Sequence, residues 1–75
     1  MMNLNRKVVV VMKRLKEYRI KRELSQSQLS NLTGVNLRMI QFYESGFKNI
    51  NHAHADTILT LAKALNCNME DLLEK

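Results

Sequence analysis

With two glycines and no proline in 75 residues, this chain has few places to break a helix. Each glycine closes a short stretch that opens with a strong capping residue. Ser25 precedes QSQLSNLT, with Gln28 three residues on. At that spacing a serine hydroxyl takes the amide of Gln28, and the glutamine side chain reaches back to the amide of Ser25. Gly34 follows, able to take positive φ and stop the helix. Asn36 is a second N-cap and Gly46 a second stop. The pattern predicts helices over 26–33 and 37–45, joined by a tight corner. In the second of them Ile40, Tyr43 and Met39 face inward, which leaves Arg38, Gln41 and Phe42 on another face.

The remainder also reads as helix. From about Met12 to Glu23, Leu15, Tyr18, Arg19 and Arg22 recur at three- and four-residue spacing between charged flanks. Asn51 is a plausible cap for a fourth helix reaching Leu65, whose stripe of Ile58, Leu61, Ala62 and Leu65 is the most regular in the chain. Asn66 and Cys67 make a turn. Asn68 caps a last helix over MEDLLE, with Glu70 and Asp71 placed to complement its dipole. The expected architecture is all-α: one helical domain over 12–75 preceded by an N-terminal arm, residues 1–11. Val8–Val11 have strong β propensity, but Val8, Val11, Met12 and Leu15 also fit one helix face. A short extended strand is favoured for the arm, and a backward extension of the first helix stays open.

Composition narrows the function. A single cysteine, Cys67, rules out an internal disulfide and suits a reducing compartment, so the cytoplasm is expected. Val8–Met12, the longest apolar run, is far too short to span a bilayer. His52 and His54 are two apart, the wrong interval for one helix face, so no metal site is expected. No nucleophile–base arrangement or glycine-rich phosphate loop is legible; the chain does not read as an enzyme, and no cofactor is expected. The net charge is +5 and unevenly distributed. Residues 1–50 hold ten of the twelve Lys/Arg against three acids, and residues 51–75 hold two against four. The front two-thirds therefore suits a polyanionic partner.

The coincidence of SQ at Ser25-Gln26, Leu29, Thr33-Gly34-Val35, Ile40, Glu44 with Gly46, and LAKAL at Leu61–Leu65 resembles the Cro/C1-type (XRE family) helix-turn-helix of small bacterial and phage repressors. The resemblance covers about Leu15 to Leu73. It implies a five-helix, lambda-repressor-like fold whose second and third helices form the helix-turn-helix. It also implies roles for particular residues. Leu37, Arg38, Gln41 and Phe42 match the positions that reach base edges. Gln26, Ser27, Asn36 and Lys48 match positions at phosphates. Arg19 and Glu44 match a pair joining the first helix to the end of the third. Phe42 departs from the family pattern: an aromatic there suits a thymine methyl or, with Phe47 and Leu37, an exposed surface for a protein.

The resemblance implies a sequence-specific regulator of transcription, expected to be a repressor that binds a double-stranded DNA operator as a homodimer. The helix-four/five turn with the last helix, or the valine arm, would form the dimer surface. The alternative is a protein-interaction module or antitoxin-type partner-binding protein with the same fold.

Overall fold

The computed structural model describes residues 12–75; the expectations for the arm, residues 1–11, lie outside the described residues. Four α-helices follow one another: α1 (Arg14–Lys21), α2 (Gln26–Thr33), α3 (Leu37–Ser45) and α4 (Ala55–Leu65). Two 3-10 turns, Ile50–His52 and Met69–Leu72, flank α4, and the described residues contain no strand.

The two central helices form as their caps dictate. Ser25 Oγ accepts from the Gln28 amide at 3.0 Å, and Gln28 Oε1 accepts from the Ser25 amide at 2.8 Å. Asn36 Oδ1 accepts from the Arg38 amide at 2.8 Å. Gly34 (φ 76°) and Gly46 (φ 84°) close α2 and α3 in the left-handed region.

Three expectations need correction. The first helix is shorter than Met12–Glu23, because Lys13 is extended and Glu23, at φ 58°, turns the chain in the left-handed region. Arg22 caps its end and is exposed instead of joining a buried stripe. Asn51 does not cap the fourth helix, which starts at Ala55 with His54 before it. Asn51 sits inside a 3-10 turn opened by the Asn49 side chain. Its own amide makes a two-way bond with the tail: Nδ2 donates to the Glu74 carbonyl at 2.6 Å, and Oδ1 accepts from the Glu74 amide at 2.7 Å. MEDLLE, finally, is a 3-10 turn over Met69–Leu72, and Leu73 is already extended. The expected fifth helix is thus replaced by a turn and a strap. The strap carries Glu74 to the start of α1, where its carboxylate accepts from the Arg14 amide at 2.6 Å. Lys13, the N-cap of α1, offers no side-chain cap, so Glu74 does that work from the other end of the chain.

Leu15, Leu29, Ile40, Leu61, Leu65 and Leu72 are fully buried, one or more from every α-helix and the last turn. Ile50 from the first 3-10 turn joins them at 2% exposure. Each such side chain contributes roughly 1.5–3 kcal/mol through removal of apolar surface from water. The stripe read in α4 is buried throughout. In this arrangement α2 packs against both α3 and α4, and α1 packs against α3 and the last turn.

Candidate nucleic-acid interface

The face that α3 turns away from the core follows from its residue order. Ile40, Tyr43 and Glu44 are buried, so at 3.6 residues per turn the opposite side is centred near Arg38 and Phe42, with Gln41 and Ser45 beside them. Arg38 and Gln41 are exposed; Phe42 is half-buried beside Arg38, and Leu37 is half-buried at the edge.

The corner before α3 is fixed by side chains as well as by Gly34. Thr33 Oγ1 donates to the Leu29 carbonyl at 2.7 Å and accepts from the Val35 amide at 3.1 Å, while Ser30 Oγ donates to the Val35 carbonyl at 2.7 Å. Two hydroxyls therefore set the angle between the helices. Asn36 uses its oxygen on the α3 cap, which leaves its amino group as a donor beside the open end of the helix.

Behind α3 lies a polar knot. Arg19 Nε donates to Glu44 Oε2 at 2.7 Å and Nη2 to Oε1 at 2.9 Å, with the two side chains 12% and 3% exposed. Arg19 Nη1 also donates to the Leu24 carbonyl at 2.7 Å, which holds the α1–α2 turn. Gln26 completes the knot, with Nε2 donating to Glu44 Oε1 at 3.0 Å. Glu44 lies near the end of α3, so this bond ties the start of α2 to the C-terminal half of α3. One hydrogen of the Gln26 amino group is engaged; the second, with the backbone amides of Gln26 and Ser27, meets no acceptor among the described residues. Those amides sit at the positive end of the α2 dipole, where an anion is stabilised.

The segment after α3 folds back on it. Ser45 Oγ donates to the Phe42 carbonyl and accepts from the Phe47 amide, both at 3.2 Å, and the Lys48 amide donates to the Phe42 carbonyl at 3.1 Å. Phe42 and Phe47 stack with ring centroids 4.7 Å apart, and Lys48 Nζ stands 5.8 Å from the Phe42 centroid. Lys48 and Asn36 line one open groove, which continues past His52 to the start of α4 at His54 and Asp56. No group of His, Cys, Asp and Glu among the described residues could hold a metal ion.

Two contacts have no counterpart in the sequence pattern. Lys13 folds over Gly46, where a Cβ would lie 2.9 Å from its Cε and 3.5 Å from its Nζ. A cation thus sits at the C-terminal end of α3, next to the loop that carries Lys48. Nothing in the spacing points to it, because the contact joins opposite ends of the α1–α3 segment. The bond from Gln26 to Glu44 was equally hidden.

Two short capped helices meeting at a glycine corner, packed on a small helical body, define a helix-turn-helix domain. A family model described as helix-turn-helix matches residues 15–72, and the chain belongs to that family, the Cro/C1-type (XRE) group of DNA-binding transcription regulators. No curated protein matches the chain. No helix among the described residues is long and apolar enough to cross a membrane.

Proposed function

We propose that this protein is a repressor that binds an operator sequence-specifically as a homodimer, with α3 lying in the major groove. The observation that carries the reading is the exposure of Arg38 and Gln41 on α3 together with the open amides of Gln26 and Ser27 at the start of the neighbouring α2. Arg38 offers a planar two-pronged donor to guanine O6 and N7, and Gln41 suits adenine N6 and N7. Leu37 and Phe42 bring apolar edges to the same bases. Gln26, Ser27, Asn36 and Lys48 grip phosphates on either side, which fixes register without reading sequence. Lys13 adds positive potential beside Lys48.

A module this small has a modest footprint. Two copies on half-sites about one helical turn, roughly 34 Å, apart would double it. The end of α4 and the strap that follows would form the surface that pairs two copies. Repression then requires only that the dimer occupy a promoter.

The test is binding to a duplex selected from a random pool, measured against salt. Lys13 and Lys48 supply about four cations per dimer, so affinity falls about a hundredfold between 50 and 200 mM salt if each neutralises one phosphate. A protein-interaction module is the second reading, favoured by the exposure of Phe47. It predicts no salt-sensitive duplex binding at all.

A further inference from the structure

The aromatic pair at the end of α3 is unusual for a surface so rich in charge. Phe47 is 74% exposed, the most exposed large apolar side chain among the described residues. It is not a loosely held loop residue, however. The hydroxyl of Ser45 and the Lys48 amide pin the loop to the Phe42 carbonyl, and the two rings stack at 4.7 Å with a 40° tilt. Phe42 lies one turn beyond Arg38 on the outward face, Lys48 Nζ stands over its ring, and Lys13 folds over Gly46, the neighbour of Phe47 in the chain. An apolar surface has therefore been ordered in advance, rimmed by cations, and made continuous with the face assigned to bases.

That combination narrows the occupant. A cationic rim suits a polyanion, and an ordered apolar centre needs an apolar group within it. In the major groove the apolar group a base pair presents is the C5-methyl of thymine. We infer that Phe42 and Phe47 together read the methyl groups of one or two successive thymines in each half-site, with Phe47 a specificity-determining residue in its own right. The inference rests on the placement of α3 in the major groove argued above.

The experiment replaces thymine by uracil, one position at a time, in a duplex selected from a random pool, with binding measured for the unaltered protein and for Phe47→Ala. Uracil keeps the base-pairing and hydrogen-bonding edges and removes only the methyl. At one or two positions per half-site the unaltered protein should lose about three- to fivefold, the worth of one buried methyl group. Phe47→Ala should bind the thymine duplex more weakly and lose most of its sensitivity to uracil at those positions. Because Phe47 is exposed, a thermal melt close to that of the unaltered protein should accompany the change. The inference is overturned if the duplex binds but no uracil weakens it, or if Phe47→Ala remains as sensitive as the unaltered protein. Either result leaves DNA binding itself intact. Failure to bind any duplex would instead remove the parent reading, and this inference with it.

Discussion

Glu44 holds three donors from two other elements in a site almost closed to water. Replacing it with alanine would strand the Arg19 guanidinium, and a stranded buried charge typically costs about 3–5 kcal/mol. Urea unfolding should therefore show Glu44→Ala losing that amount, a large share of the stability of so small a domain. Gln26→Ala removes a neutral donor from a half-buried position and should cost about 1 kcal/mol in the same assay. Comparison of the two separates the foundation of the interface from its surface. The ion pair was legible because Arg19 and Glu44 sit in a recognisable pattern. The Gln26 bond was not, since it depends on how α2 lies against α3 across 18 residues of sequence. Cys67 gives a different kind of test. Burial, and then the negative charge of Asp71, push its thiol above the ordinary value. The protonated form is favoured in the folded state, so alkylation near pH 8 should run slower than for a free cysteine and accelerate when urea unfolds the domain.

Among the elements, helices closed by their own neighbours could be read directly, whereas those closed by distant residues could not. Ser25, Gly34, Asn36 and Gly46 act within a few residues of themselves, and α2 and α3 begin and end where those caps require. Asn51 has equal capping chemistry, but its side chain bonds Glu74, 23 residues away, and α4 starts later. Glu74 in turn caps α1 from the far end of the chain. Asn51→Ala would break both bonds of the clasp and should lower stability by about 1–3 kcal/mol, read from urea unfolding. Its effect on DNA binding should be smaller, because the clasp lies outside the helix-turn-helix. Glu23 gives the opposite expectation. Its φ of 58° places an L-residue with a side chain where glycine fits without steric cost. Glu23→Gly should raise stability by up to about 1 kcal/mol, partly offset by the greater freedom of glycine in the unfolded chain.

At the scale of the whole molecule, α1, α2, α4 and the turns pack around the buried side of α3 and leave Arg38 and Gln41 exposed. The core fixes α2 against α3, the Arg19–Glu44–Gln26 knot ties the start of α2 to α3, and the folded-back loop places Lys48 and Phe47 at the end of α3. The uneven charge in the sequence is consistent with this division, since Lys13, Arg38 and Lys48 all come from the basic front, and of the four acids of the tail Glu70, Asp71 and Glu74 lie in the last turn and strap while Asp56 opens α4. On the proposed function, α3 reads bases while the start of α2 seats the phosphate backbone. Selection of bound duplexes from a random pool by the unaltered protein, Arg38→Ala and Gln26→Ala tests it most directly. Arg38→Ala should relax preference at a single base position, by about 1–3 kcal/mol, while Gln26→Ala should weaken every sequence alike and keep the same motif. If both variants recover the original motif with undiminished affinity, α3 is not the reader.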